Sequence, residues 1–239
     1  MQKDHRPYFI KKAYLGFQNF HARRFLRPQF ESLGRGFTFI KPWHVEIFGP
    51  NIVMGEYATV IATPDRKVRL CAWPNKAGGG MIEIGDYCLI CPGVRISSAS
   101  EVRVGGNCML ANGVYITDAD WHGVYDRISM GATSPVRIKE NVWIGDSAII
   151  CKGVTIGKNS IIGAGAVVVK DVPPNVVAAG NPAGTVKNLD PDARIATRSQ
   201  WFSDPARLFR DFDHLDREML RENTIWGWLR SLLFPARGD

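Results

Sequence analysis

The feature that most constrains this chain is a six-residue repeat in its middle. An aliphatic residue recurs at every sixth position along one series: Ile138, Ile144, Ile150, Ile156, Ile162 and Val168. Four positions after each of the first five stands a smaller or shorter side chain: Val142, Ala148, Val154, Ser160 and Ala166. This period matches neither an amphipathic helix nor a plain alternating strand. It predicts a short strand followed by a tight corner, repeated so that the same side chains return to the interior.

Three such sides would close a triangular coil of eighteen residues, and stacked coils would bury one continuous aliphatic core, as solenoids do. The six-residue spacing also holds at Ile84, Ile90 and Ile96 and, after a two-residue bulge, at Val104, Leu110 and Ile116. It is less regular at Phe48, Met54 and Val60. The predicted corners contain small or amide residues that tolerate unusual backbone angles: Gly145, Gly157, Asn159 and Gly163. The pattern predicts an all-β solenoid over residues 46–188.

Besides this bulge, the phase breaks over two longer intervals, which predict loop insertions near 61–83 and 117–137. The first contains Pro64, Pro74 and a Gly78–Gly80 run. The second is rich in polar and aromatic residues: Asp118, Asp120, Trp121, His122, Tyr125 and Asp126. Loops on a rigid scaffold often carry function, so the second break is the candidate site.

The two ends of the chain differ from the repeat. Residues 1–45 form a basic, aromatic N-terminal extension, and 189–239 a C-terminal extension with apolar residues at helical spacing. The net charge is +7, and residues 1–41 alone hold nine Lys/Arg against two acids. Because the repeat is nearly neutral and carries no nucleic-acid-binding motif, we expect no nucleic acid partner. The extensions either cap the solenoid or contact an anionic membrane surface.

No apolar stretch is long enough to span a membrane, and no secretory signal is evident, so a cytoplasmic location is expected. Five cysteines are present, with Cys88 and Cys91 in a C-x-x-C arrangement. Since no second pair or His cluster accompanies them, we interpret them as small packing residues and expect no metal.

Four runs in the repeat carry a resemblance to a known family. They are NVWIGD at 141–146, GVTIG at 153–157, IGAGAVVVKDVPPN at 162–175 and AGNPA at 179–183. Together they resemble the hexapeptide-repeat acyltransferases, and within them the branch of maltose, galactoside and polysaccharide O-acetyltransferases. The resemblance covers roughly residues 84–188.

The resemblance implies a left-handed parallel β-helix and a homotrimer that binds acetyl-CoA between neighbouring solenoids. The implied reaction is direct acyl transfer to a hydroxyl, with a His general base and no metal. His122 stands at the position of the family's catalytic His. Asp118 and Asp120 would orient the imidazole or bind the acceptor, unless they are loop-capping acids. Trp121 and Tyr125 would stack on a sugar ring, unless they pack within the protein.

The resemblance also implies a cofactor-binding set: Asp146, Ala164, Val169, Lys170 and Lys187. Two positions depart from the branch pattern. Gly184 stands where sugar acetyltransferases often have Arg, and Ala99 where the galactoside branch has an acid that binds the acceptor. These departures put a galactoside or maltose acceptor in doubt.

The sequence therefore predicts an acetyl-CoA-dependent O-acetyltransferase acting on a sugar of a surface polysaccharide or its lipid-linked precursor, with possible association at the inner membrane face. Two alternatives stay open: N-acyl transfer to an amino sugar, and a non-catalytic scaffold. A zinc carbonic anhydrase of similar architecture would need three His ligands, and His122 is the only His between residues 45 and 213.

Overall fold

The computed structural model describes residues 3–74 and 78–236. The chain divides into two compact units. The first is a solenoid over His21–Gln200, and the second combines Met1–Phe20 with Trp201–Asp239.

The solenoid contains three sheets, whose strands are numbered in chain order. The first sheet contains β1 (Ser32–Leu33), β4 (Ile52–Met54), β7 (Met81–Ile84), β10 (Glu101–Val104), β13 (Val136–Ile138) and β16 (Thr155–Ile156). The second contains β2 (Thr38–Ile40), β5 (Thr59–Ile61), β8 (Leu89–Ile90), β11 (Met109–Leu110), β14 (Trp143–Ile144), β17 (Ile161–Ile162), β19 (Val176–Gly180) and β20 (Ala183–Asn188). The third contains β3 (Val45–Phe48), β6 (Val68–Ala72), β9 (Arg95–Ser98), β12 (Tyr115–Thr117), β15 (Ile149–Ile150) and β18 (Val167–Val168). Successive strands pass from sheet to sheet, so each circuit forms one coil of a three-sided parallel β-helix.

The pairing register confirms the coil of eighteen residues. Ile138 pairs with Ile156, Ile144 with Ile162, and Ile150 with Val168. All the regular aliphatic positions predicted between residues 84 and 168 are at most 3% exposed. Stacked aliphatic side chains therefore form one continuous core along the solenoid.

The predicted corner residues act in two different ways. Asn159 has a positive φ of 61°. Its side-chain amide bonds Asn141 and Asn175 on the coils before and after it, each at 2.9 Å. Gly145, by contrast, does not have positive φ; a Cβ there would lie 2.6 Å from the backbone nitrogen of Ala164. Close approach of the next coil, and not the backbone angle, excludes a side chain at this corner.

The structure differs from the sequence expectation at the irregular N-terminal coils. The loop insertion predicted near 61–83 is wrong in part, because it contains β6, whose residues Val68, Leu70 and Ala72 are buried as a strand of the solenoid. Phe48 is 47% exposed and points outward, because Val45 and Ile47 of the same strand face the interior positions of β6. The first two strands, β1 and β2, lie within 1–45. These coils do not keep the six-residue spacing, which is why the phase alone misplaces them.

The second unit is helical. Its helices are α1 (Tyr8–His21, which ends just inside the solenoid unit), α3 (Pro205–Met219) and α4 (Ile225–Leu233); a short α2 (Arg198–Trp201) precedes α3. The Tyr8 hydroxyl donates to Asp213, and Lys11 pairs with Asp216 at 2.7 Å, so α1 and α3 are held together by polar contacts. In the described residues, no helix has the length and apolar character needed to span a membrane.

Candidate active site

The loop between β12 and β13 is anchored by a buried carboxylate. Asp118 is 0% exposed. It accepts hydrogen bonds from the Ser98 hydroxyl at 2.7 Å and from the backbone N–H groups of Ala99 and Ser100 at 2.7 and 2.8 Å. Three donors satisfy a carboxylate that would otherwise be costly to bury. These contacts favour the loop-anchoring interpretation of Asp118 over contact with an acceptor.

Further bonds hold the rest of this loop in shape. Ala119 bridges Thr133 in an antiparallel arrangement, and the N–H of Gly131 donates to the Asp120 carbonyl at 2.9 Å. The Asp120 carboxylate forms an ion pair with Lys152 at 2.9 Å. Lys152 lies two residues after β15, the next strand of the third sheet, so this pair ties the loop to the solenoid. Lys152 is not among the candidate residues predicted from the sequence, because it lies 32 residues from Asp120.

His122 is an exposed residue of the loop, and one of its ring nitrogens is hydrogen-bonded within the loop. Its Nδ1 atom lies 2.9 Å from the Arg127 carbonyl oxygen. A carbonyl oxygen can only accept, so Nδ1 donates and carries the proton of the neutral ring. The Nε2 atom then holds the lone pair that a general base requires.

The aromatic residues that the resemblance singled out lie in different environments. The Trp121 indole N–H donates to the Tyr115 hydroxyl at 3.3 Å, and its ring forms an edge contact with Trp73 at 6.0 Å between centroids. Tyr125 is 100% exposed. The contacts with Tyr115 and Trp73 therefore hold the Trp121 ring in one position, in which it could contact a ligand. Tyr125 extends into solvent.

Two members of the cofactor-binding set lie on one corner of the solenoid, on successive coils. The carbonyl of Asp146 accepts from the Gly165 N–H at 2.7 Å, which places Ala164 beside it on the next coil. The Asp146 carboxylate accepts from the Ser147 hydroxyl at 2.6 Å. Ala164 is exposed, so the corner offers backbone and a short side chain to solvent.

The other three members lie on other elements. Val169 and Lys170 follow β18 and are exposed, with Val169 at 48%. Lys187 is exposed on β20, opposite Val177 of β19. Among the described residues, neither lysine forms an ion pair within the chain. Both ammonium groups are thus available to an anion.

The cysteines show no arrangement suited to a metal. Cys88 is buried; the neighbouring Cys108 thiol, and then burial, raise the pKa of the Cys88 thiol well above its usual value. Burial also raises the pKa of Cys91. Within residues 3–74 and 78–236, no group of three His, Cys, Asp or Glu side chains is placed to bind a metal ion.

Two family profiles match the coils just described. Residues 135–170 match the bacterial transferase hexapeptide (six repeats), and residues 82–118 match the hexapeptide repeat of succinyl-transferase. Two segments of the chain therefore carry hexapeptide repeats. The matched segments flank the His122 loop on both sides, so the loop projects from two blocks of hexapeptide coils.

Relatives that match part of this chain include two galactoside O-acetyltransferases. The Escherichia coli K12 protein is 41% identical over 92 residues, which is 37% of this chain and 45% of the relative. The Lactococcus lactis protein is 41% identical over 93 residues, covering 38% and 45%. The chain thus spans about half the length of the curated relatives it matches.

Solved structures extend the similarity to the fold. An N-acyltransferase from Bacillus cereus, crystallised with dTDP and coenzyme A, aligns with a TM-score of 0.55 at 17% identity and covers 80% of this chain and 96% of its own. A hexapeptide-repeat-containing acetyltransferase from Vibrio cholerae aligns with a TM-score of 0.50 at 21% identity, covering 77% and 93%. The left-handed parallel β-helix implied by the resemblance is confirmed for this hexapeptide-repeat chain.

Proposed function

We propose that this protein is an acetyl-CoA-dependent O-acetyltransferase that acts on a sugar hydroxyl. The observation that carries the proposal is the His122 ring, held through Nδ1 by the Arg127 carbonyl so that Nε2 remains available as a base. The 41% identity of part of the chain with two galactoside O-acetyltransferases supports the reaction class.

In the proposed reaction, Nε2 of His122 takes the proton of the sugar hydroxyl as the oxygen attacks the thioester carbonyl. The C–S bond of the tetrahedral intermediate then breaks, and the imidazolium returns the proton to the departing CoA thiolate. The products are the sugar ester and free CoA, so atoms and charge balance. The ion pair of Asp120 with Lys152 holds the loop that carries the base.

The proposed donor site uses the exposed cofactor-binding set. At the solenoid corner, Asp146 and Ala164 would contact the pantetheine arm of CoA. Val169 would add an apolar contact to the same arm. Lys170 and Lys187 would pair with phosphate oxygens of CoA, because exposed ammonium groups without an internal carboxylate suit an anionic ligand. The B. cereus N-acyltransferase of the same fold binds coenzyme A, which supports this type of donor.

The first experiment is calorimetric titration of the purified protein with acetyl-CoA, followed by CoA-release kinetics on sugar acceptors. We expect one site per chain, and His122→Ala to lower turnover by about 10² to 10⁴-fold with little change in acetyl-CoA affinity. Lys170→Ala should weaken acetyl-CoA binding and leave turnover at saturation unchanged. His214→Ala and Lys139→Ala, exposed residues on other surfaces, are the matched controls. Unchanged turnover in His122→Ala would remove the proposed base.

The same assays separate the two alternatives. An amino-sugar acceptor would be consumed in preference to its hydroxyl counterpart if the enzyme is an N-acyltransferase, and the product would be an amide resistant to hydroxylamine. A non-catalytic scaffold does not need to bind acetyl-CoA. Absence of acetyl-CoA binding by the folded protein would therefore favour the scaffold alternative.

The proposed assembly is a homotrimer. Several apolar side chains face outward from neighbouring strands and corners of the solenoid: Trp143 at 47% exposure, Ile149 at 36% and Val169 at 48%. Burying these exposed apolar side chains against another copy of the chain would be favourable. Light scattering after size-exclusion chromatography should give three times the chain mass, and Trp143→Glu should shift it toward the monomer.

We also propose action at the cytoplasmic face of a membrane on a polysaccharide precursor. In α4, the exposed Ile225, Trp226, Leu232 and Leu233 fall on one side of the helix, with Arg230 at its margin. An apolar helical face with aromatic and basic residues is suited to a lipid interface. Sedimentation with anionic vesicles should carry the protein down at low salt, and Trp226→Ser with Leu233→Ser should abolish this. No binding of the parent protein would remove the proposal.

A further inference from the structure

An aromatic row runs along the outer surface of the third sheet beside the His122 loop. It consists of the rings of Phe48, Trp73, Trp121 and Tyr115 and ends at the guanidinium of Arg95. Each member contacts the next. The centroid distances are 4.7 Å between Phe48 and Trp73 and 6.0 Å between Trp73 and Trp121. Trp121 bonds the Tyr115 hydroxyl, and the Arg95 guanidinium lies 4.0 Å from the Tyr115 ring centroid. Members come from four successive strands or their following loops.

Arg95 differs from the other arginines on the outer faces of the coils. Arg69 pairs with Glu46 at 2.7 Å, and Arg137 pairs with Glu101 at 2.9 Å. Arg95 is exposed, and in the part of the chain that the structure describes it has no carboxylate within ion-pair distance. One face of its guanidinium is covered by Tyr115, which leaves the N–H groups at the edge free to form a forked contact with an anion.

The register adds a second observation that points to an anion. Arg95 lies directly opposite Arg69 on the neighbouring strand. Like charges at directly opposed positions are unfavourable. One carboxylate, Glu46, faces this group and is already shared by Arg69 and Lys67. Three cations around one acid leave a positive surface whose repulsion an anionic ligand would relieve.

The aromatic members define the rest of the ligand. Trp73 is 41% exposed and Phe48 47% exposed, although both pack against neighbouring rings. The C–H faces of a pyranose ring pack on aromatic faces, whose π-systems are electron-rich. Trp121 directly precedes His122 in the chain, so a sugar on this row would contact the loop that carries the proposed base.

We propose that the aromatic row binds an acidic saccharide, with sugar rings against Trp73 and Trp121 and a carboxylate or phosphate on Arg95. The inference rests on the proposed acetyltransferase function, for which it names the acceptor class. Arg95 and Trp73 were not singled out by the repeat pattern or by the resemblance.

The test is calorimetric binding without acetyl-CoA. The probes are tetrasaccharides of galacturonate, glucuronate and mannuronate, N-acetylneuraminic acid, and glucose 1-phosphate. Each carboxylated probe is compared with its carboxyl-reduced counterpart, glucose 1-phosphate with glucose, and inorganic phosphate shows the effect of charge alone. We expect at least one acidic probe to bind about tenfold more tightly than its neutral counterpart. The carboxylated and phosphorylated arms distinguish the two sources of the anion.

Variants then locate the site. Arg95→Gln should remove the preference for the acidic probe, and Arg95→Lys should restore part of it. Trp73→Ala should weaken the acidic and neutral forms by a similar factor. Arg103→Gln removes the same charge from the first sheet, where Arg103 pairs with Glu101, and should change nothing. Far-UV circular dichroism confirms that each variant is folded.

Failure of this site and failure of the proposed function give different results. If acidic probes bind with dependence on Arg95 but no acetyl transfer occurs, the site stands and the enzymatic proposal falls. If transfer to a neutral sugar proceeds and Arg95→Gln leaves its KM unchanged, the enzyme stands and the acidic-saccharide site falls. No preference for any acidic probe, or a preference equal in Arg95→Gln and the parent protein, also overturns the site.

Discussion

The solenoid and the helical unit treat their apolar side chains in opposite ways. Between residues 84 and 168 the regular aliphatic positions are at most 3% exposed. In the helical unit, Trp226 is 81% exposed and Phe234 74% exposed, and in α3 and α4, which the structure describes in full, no residue is buried. In the solenoid, the apolar side chains of each coil pack against those of the next coil. The helices instead rely on polar contacts and capping, such as Asp204 and Thr224 at the starts of α3 and α4.

Truncating one apolar side chain in each region tests this contrast in burial, and the solenoid variant should show the largest effect. Ile144→Ala should cost about 2–5 kcal/mol of unfolding free energy, because it leaves a cavity between stacked coils. Trp226→Ala removes a larger side chain, yet should change stability by less than about 0.5 kcal/mol. Urea unfolding followed by far-UV circular dichroism measures both. Similar losses in the two variants would contradict the contrast in burial.

A second prediction concerns the buried anchor of the candidate site. Asp118→Asn replaces a carboxylate that accepts three bonds and should cost about 2–3 kcal/mol, because at least one donor loses its partner. We expect faster proteolytic cleavage within residues 119–133 and a lower urea midpoint. Glu140→Gln, which changes an exposed carboxylate at a corner, is the matched control. An unchanged cleavage rate in Asp118→Asn would show that the loop does not depend on this anchor.

A third and smaller effect is expected at a coil corner. Asn159→Ala should cost about 1–2 kcal/mol, because Ala lacks the short polar side chain that lets Asn adopt a φ of 61°. It also loses the amide bonds to Asn141 and Asn175. Asn159→Gly accepts the backbone angle but loses the same bonds, so the difference between the two variants isolates the angle. Equal stabilities would assign the whole effect to the amide ladder.

The regular coils could be predicted from the sequence because each contact in them repeats at a fixed spacing of eighteen residues. The pairing of Ile138 with Ile156 follows directly from the phase. Where the spacing fails, the prediction fails as well. The strand containing Leu70 was missed because its inward residues alternate within an interval that breaks the six-residue phase, and Phe48 was assigned to the wrong face.

The candidate site was less accessible to sequence reasoning. The resemblance supplies His122, and its role stays a prediction. The contacts that shape the loop join residues distant in sequence: Asp118 binds Ser98, 20 residues earlier, and Asp120 pairs with Lys152. The cluster of Arg95 with Tyr115 likewise depends on which strands are neighbours in the third sheet. Periodicity specifies the scaffold, whereas these contacts depend on the three-dimensional register.

The smallest predicted effect tests the polar contacts that hold the helical unit. The hydrogen bond from the Tyr8 hydroxyl, aided by the charges of Lys12 and Arg217, lowers the pKa of the Asp213 carboxyl. A carboxylate with a lowered folded pKa stabilises the protein above its unfolded pKa, and this contribution is lost as the pH falls through the folded value.

Amide hydrogen exchange of residues 8–20 should therefore be faster in Asp213→Asn than in the parent protein at pH 7. The difference should shrink at about pH 3, below the usual range of an aspartate. Asp211→Asn, which removes a carboxylate paired with Arg207 on the same helix, should leave exchange in α1 unchanged. A difference between Asp213→Asn and the parent that persists undiminished at about pH 3 would show that shape, and not charge, joins α1 to α3.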